Sequence, residues 1–216
     1  IHRAGDVIPK VAQVVAEGNE RKKIVMPANC PICNSPVIRV ENQAAFRCSG
    51  GLNCNAQVAE RIKYFASRGC MNIRQLGTKL IDILCEQGVL NSVADIYRLQ
   101  ISDIASLEGQ GEKNAAKILT AIENSKKTTF ATFLTSLGIP EVGESGAKNL
   151  ANYFGNLEKL RAADIETLQQ VPDVGLITAK NVRNFFDNPL QQQLIDELLA
   201  AGIIWQENET QPFEKP

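Results

Sequence analysis

The chain has 216 residues, 44% of them apolar, with Lys+Arg 23 against Asp+Glu 24 and a formal net charge of −1. Such a chain can bury a core in one to three folded units, and its near-neutral balance argues against a blanket polycationic nucleic-acid binder. No run of eighteen apolar residues occurs, and the opening Ile1-His2-Arg3-Ala4-Gly5-Asp6 lacks a basic-then-apolar signal organisation, so the expectation is a soluble cytoplasmic protein with no membrane partner.

The opening stretch from Asp6 to Val15 is rich in β-formers and contains Pro9, which suits an edge strand or a bulge. Alone it makes one strand or two without a sheet, so either upstream strands are expected to complete it or the segment packs on the rest of the chain. Charged Glu20-Arg21-Lys22-Lys23 follows as a connector.

Cys30, Cys33, Cys48 and Cys54 come next, with 2, 14 and 5 residues between them. Two thiolate pairs at this spacing can close a tetrahedral shell around one structural Zn2+. The chain's single histidine is His2, far upstream, so an open catalytic position is not expected. An iron–sulfur cluster is the rival, but ferredoxin-type runs are tighter. Between the pairs, Val37-Ile38-Arg39-Val40 and Ala45-Phe46-Arg47 flank Glu41-Asn42-Gln43 and predict a small hairpin. Val58, Ile62, Phe65 and Ala66 then predict an amphipathic helix over 56–67. Cys70 and Cys85 fall in helical apolar patterns and are expected to pack as reduced thiols without forming a disulfide.

From Asn72 to about Gly202 the apolar residues repeat at helical spacing with almost no strand pattern, as in Leu80, Ile83 and Leu84 or Leu194, Ile195, Leu198 and Leu199. Glycines punctuate these helices at Gly77, Gly111, Gly143 and Gly175, intervals of 34, 32 and 32 residues. Ala115, Ala147 and Ala179 follow three of them at four residues, where a small side chain lets two helices approach closely. Asp103-Ile104-Ala105-Ser106-Leu107 and Asp164-Ile165-Glu166-Thr167-Leu168 are similar lead-ins. This is the helix-hairpin-helix pattern. The glycine permits a sharp turn that presents backbone N–H groups at a helix start, where the macrodipole also favours an anion such as a DNA phosphate.

Lys79, Lys113, Lys148 and Lys180 lie early in the second helices and can add charge to that contact. Gly109 provides a second glycine in the second copy, where the others have Gln75, Glu141 and Asp173. The acidic pair would repel a phosphate that it faced, which makes Gly109, Gly111 and Lys113 the strongest candidates and leaves at least one other copy a structural role. Phosphate contacts carry no sequence information, so duplex shape is what such a repeat would read. Residues 1–80 carry 12 Lys+Arg against 5 Asp+Glu, a net +7, and residues 81–216 carry 11 against 19, a net −8. A polyanion therefore meets the first part by charge and needs backbone donors at the second. Trp205 follows an apolar helix and is expected to plug a core, and Gln206 to Pro216 is a polar tail.

Taken together, these residues resemble the C-terminal half of a bacterial NAD-dependent DNA ligase over nearly the whole chain. Arg3-Ala4-Gly5-Asp6-Val7-Ile8-Pro9-Lys10-Val11 is similar to the end of that family's OB-fold. Cys-Pro-Ile-Cys and Cys-Ser-Gly-Gly-Leu-Asn-Cys resemble its zinc finger, and Leu137-Gly138-Ile139-Pro140-Glu141-Val142-Gly143-Glu144 with Val171-Pro172-Asp173-Val174-Gly175 its four-motif hairpin domain. The resemblance implies a mainly α fold: an OB-fold remnant and connector over 1–26, a four-cysteine zinc finger and its helix over 27–66, four helix-hairpin-helix motifs over 67–205 and a tail over 206–216. It also implies part of a clamp around nicked duplex DNA, in an enzyme that seals nicks in replication and repair. NAD and Mg2+ would serve the parent enzyme only. The family's adenylated lysine lies in Lys-x-Asp-Gly, which does not occur here, so the chain is expected to be inactive without an N-terminal adenylation domain. Two other readings stay open: a non-enzymatic repair adaptor braced by the zinc finger, and a helix-hairpin-helix DNA glycosylase, which would need an iron–sulfur spacing.

Overall fold

The computed structural model describes residues 2–4, 8–13, 15, 24–39 and 45–206. The expected connector at 20–23, the hairpin turn at 41–43 and the tail over 207–216 lie outside them. Among the described residues, β1 (His2–Ala4) and β2 (Ile8–Lys10) pair antiparallel with Arg3 opposite Pro9, so the β-rich opening is a two-stranded ribbon that ends before Val15. The hairpin expected between the cysteine pairs is present: β3 (Val37–Arg39) pairs antiparallel with β4 (Phe46–Cys48), with Val37 opposite Cys48.

A 3-10 turn over Gly51–Asn53 leads into α1 (Asn55–Ala66), which buries Val58, Ala59, Ile62, Phe65 and Ala66 along one face, the stripe that the apolar spacing predicts. That face belongs to the helical core. Phe65 meets Tyr97 edge-on at 6.3 Å, and one continuous cluster of buried apolar side chains runs from Val58 to Ile203. Residues 24–39 and 45–54 bury only Cys30 and Cys54. Each buried aliphatic side chain contributes about 1.5–3 kcal/mol, so this upstream segment has almost no hydrophobic stabilisation of its own.

The helical part proceeds through α2 (Thr78–Glu86), a 3-10 segment (Val93–Arg98), α3 (Ile101–Ala105) and α4 (Glu112–Ser125). After β5 (Lys127–Thr128) come α5 (Phe130–Ser136), α6 (Glu144–Phe154), α7 (Leu157–Ala162), α8 (Ile165–Leu168), α9 (Leu176–Asp187), α10 (Pro189–Ala200) and β6 (Ile204–Trp205). Pairs α3 with α4, α5 with α6 and α8 with α9 are the hairpins of copies two to four. Ala115, Ala147 and Ala179 are fully buried, as close helix approach requires.

The near absence of strands holds with one exception. β5 pairs in parallel with β6, Lys127 beside Ile204 and Thr128 beside Trp205, and the Ile204 N–H donates to Lys126 O at 2.8 Å. Trp205 stacks on Phe130 and Phe133, with ring centroids at 5.3 and 4.7 Å, but it stays partly exposed and covers the edge of the core where the sequence predicts a buried plug. Cys70 and Cys85 are buried free thiols. No helix among the described residues is long and apolar enough to cross a membrane.

Candidate metal centre and nucleic-acid interface

The four cysteines separated in sequence come together in space: their sulfurs all lie within 4.8 Å of one another, and Cys33 Sγ is 3.4 Å from Cys48 Sγ. A tetrahedral zinc with Zn–S bonds of about 2.3 Å sets sulfur–sulfur edges of about 3.8 Å, so one ion suits this cluster, whereas a multi-iron core would hold the thiolates further apart. Cys30 and Cys33 sit on a tight knuckle closed by Cys30 N–H to Ser35 O at 2.8 Å and Asn34 N–H to Cys30 O at 2.9 Å, with Asn34 left-handed at φ 58°. Cys48 ends β4, and Cys54 is the residue at which α1 begins.

The thiols are unequal. The Ser35 hydroxyl and backbone N–H lower Cys33 to about 6, and the backbone N–H groups of Cys33 and Ile32 lower Cys30. At Cys48 the Gly50 N–H lowers the pKa, but burial with the Cys33 and Cys30 sulfurs outweighs it and pushes the thiol up to about 11. Two thiolates ready to form therefore oppose the ionisation of a third. A bound cation removes that conflict. Gly50 completes the shell: its N–H donates to Cys48 Sγ at 3.2 Å, and a Cβ there would lie 2.8 Å from Cys33 Sγ and 2.9 Å from Ser35 Oγ. Sequence reasoning missed Gly50 and Ser35, since neither is a ligand type and their positions depend on the folded knuckle.

The glycine repeat resolves into a shared local geometry, and one expectation about it needs correction. Gly77, Gly111, Gly143 and Gly175 are extended N-cap residues with φ of −75°, −136°, −86° and −82°, conformations open to any residue. The sharp turn lies two positions earlier, at Gln75 (φ 71°), Gly109 (φ 74°), Glu141 (φ 63°) and Asp173 (φ 62°). In the last three copies an i to i+3 bond closes it: Gln110 N–H to Leu107 O, Val142 N–H to Ile139 O and Val174 N–H to Val171 O, at 3.0 to 3.1 Å. Pro140 and Pro172 precede the left-handed residue, the order that type II turns favour. Glycine at 109 thus meets a backbone demand that the other copies meet with strain.

The N-cap glycines accept the first hydrogen bond of each helix through their carbonyls, but no packing inside the chain requires their missing side chains. A Cβ at Gly77, Gly111, Gly143 or Gly175 would find no atom within 4 Å, and all four are exposed. None of α2, α4, α6 and α9 has a side-chain cap, whereas Thr129, Asn156, Asp164 and Asn188 cap α5, α7, α8 and α10. Four helix starts therefore keep bare N–H groups and a positive dipole end open to an external anion. Lys79, Lys113, Lys148 and Lys180 are exposed around them and form no ion pair among the described residues. Asp173 is partly occupied: Asn149 Nδ2 of α6 donates to its carboxylate at 3.2 Å and to Pro172 O at 3.0 Å, which ties the fourth turn to the third hairpin.

Comparison with known proteins agrees with this division. The family model for the NAD-dependent DNA ligase C4 zinc finger domain matches residues 29–56, one for a SAM-like helix-hairpin-helix tandem matches 70–124, and one for the helix-hairpin-helix motif matches 132–195. Over 147 residues the chain is 48% identical to a DNA ligase of Hahella chejuensis, 49% to one of Marinobacter nauticus and 48% to one of Legionella pneumophila. Each alignment covers 67% of this chain and 22% of the relative, so the chain spans about a fifth of the length of the curated relatives it matches.

Proposed function

We propose, for a chain that belongs over its zinc-finger and hairpin segments to the NAD-dependent DNA ligases, that it is the non-catalytic, sequence-independent duplex grip of a nick-sealing bacterial enzyme. The supporting observation is the set of four glycine-headed helix starts without a side-chain cap, where the space a Cβ would fill is open in the folded chain. A phosphate oxygen accepts the bare N–H groups at each start, the missing Cβ lets the DNA backbone come close, and the adjacent lysines add charge. Cys30, Cys33, Cys48 and Cys54 hold one structural zinc, which cross-links a segment with almost no apolar core of its own.

On this reading residues 1–26 end an OB-fold, 27–66 form the finger with its helix, 67–205 the hairpin domain and 206–216 a linker. The adenylation chemistry, with its NAD and Mg2+, belongs to other parts of a cytoplasmic ligase, since Lys-x-Asp-Gly is absent here. The partner is nicked double-stranded DNA. Titration of the zinc-loaded chain onto a nicked duplex should give log affinity falling against log salt with a slope of about −4 to −5, for roughly four to six phosphates. Gly111→Ala should weaken binding about tenfold with an unchanged melting temperature, because its methyl meets only the ligand. A salt slope near zero overturns the reading.

A further inference from the structure

Away from the helix starts, one cavity gathers several donors that have no partner among the described residues. It measures about 420 Å³ and its lining includes Asn72, Arg74, Asn124, Lys127, Thr128 and Thr132, with no Asp or Glu among the lining residues. Arg74 and Lys127 form no ion pair among the described residues, and the side chains of Asn72, Asn124 and Thr128 make no hydrogen bond there. Some cations of the helical part find carboxylates, as Lys126 with Glu123 at 2.6 Å, Arg161 with Asp196 at 2.8 Å and Arg183 with Asp187 at 2.9 Å, whereas Arg74 and Lys127, like the lysines at the helix starts, find none among the described residues. Two unpaired cations beside unused amide and hydroxyl donors make a concentration of positive potential without an internal counter-charge.

The surroundings are built by the fold. Lys127 and Thr128 are β5, fixed by the parallel pairing with β6 and by the stacking of Trp205 on Phe130 and Phe133. Arg74 stands in the first hairpin turn, just before left-handed Gln75, at the position held by Glu108, Pro140 and Pro172 in the other copies. Only the first turn has a cation there.

We propose that this cavity is an oxyanion subsite that takes a phosphodiester of the bound duplex, in addition to those held at the helix starts. The inference rests on the duplex-binding reading above. A guanidinium supplies a planar donor fork and an ammonium a compact charge, and Asn72 and Asn124 can complete the shell of a phosphate directly or through water. The location of Arg74 within the first hairpin turn favours a phosphate on a strand that also passes Gly77 over a free phosphate ion.

The test is binding of the zinc-loaded Arg74→Gln/Lys127→Gln chain to the nicked duplex across a salt series, beside the unaltered chain and the Arg74→Lys/Lys127→Arg chain. The glutamine variant should bind about tenfold more weakly at low salt, with a slope shallower by about 1, while the charge-retaining variant keeps the original slope. Inorganic phosphate, followed by NMR at the Asn72 and Asn124 side-chain amides, should bind weakly and be displaced by duplex. An unchanged slope in the glutamine variant overturns the inference. So does phosphate at this cavity that DNA fails to displace, which would assign it to a free anion. A near-zero slope in the unaltered chain is a separate outcome, which removes the duplex reading itself and the inference with it.

Discussion

A methyl group at residue 50 would press on two zinc-site sulfurs, 2.8 Å from Cys33 and 3.2 Å from Cys48, so the tightest constraint near the metal falls on a residue that binds no metal. Gly50→Ala is expected to lower zinc affinity by about 10- to 100-fold, the range for loss of an outer-shell contact, measured by competition with a chromophoric chelator. Gly51 has open space around its absent Cβ but φ of +51°, so Gly51→Ala should strain the turn and leave the metal held. Glu141 makes the complementary case. At φ 63° it carries a left-handed cost of about 1 kcal/mol, and its carboxylate stands two residues before the Gly143 helix start. Glu141→Gly should raise stability by about 0.5–1 kcal/mol in thermal unfolding and tighten duplex binding at low salt; a fall in both would contradict the turn geometry. The four cysteines and the glycine period were legible in the sequence because ligand type and spacing are written there. The different duties of Gly109 and Gly111 were not, since the same letter serves a left-handed turn at φ 74° and an open approach at φ −136°.

At the scale of elements, periodicity located the helices well. The stripe on α1 and the alanines after the main glycines emerge buried as their spacing implies. The parallel pair β5 and β6 escaped because two residues per strand give no alternation to read, and its partners are 77 positions apart. Its anchor is aromatic: Trp205 joins the Phe130 and Phe133 rings from outside while both of those are fully buried. Trp205→Ala should cost about 2–3 kcal/mol, below the full-burial range because the indole is only partly covered, and should lower the melting temperature by about 4–10 °C. It should also weaken duplex binding through looser placement of Lys127. A melting temperature within about 1–2 °C of the unaltered chain, on the order of 0.5 kcal/mol, would show that β6 is not a structural anchor.

For the molecule as a whole, two kinds of cohesion meet at α1. Upstream, residues 24–39 and 45–54 bury only Cys30 and Cys54, and on the proposed reading metal binding, on the order of 10–16 kcal/mol in comparable fingers, supplies their cohesion; downstream, apolar packing suffices. A strong chelator should therefore unfold the finger and leave the helical part intact, with loss of amide dispersion confined to residues 28–54 and an unchanged melting transition from the single tryptophan. Loss of that transition would place the helical core under metal control. The two-part organisation could be read from the cysteines and the helical period. What could not be read was that α1 joins the core beyond it, because amphipathicity reports that a face is buried and not against what. The return of the chain end has a kinetic meaning as well. Most hairpin contacts join near neighbours and can form early and independently, but β6 reaches back to β5, and Arg98 in the 3-10 segment pairs with Glu197 on α10. These closures span long loops, so they are expected to form late, and they link repeats that could otherwise fray one unit at a time into a chain expected to unfold cooperatively.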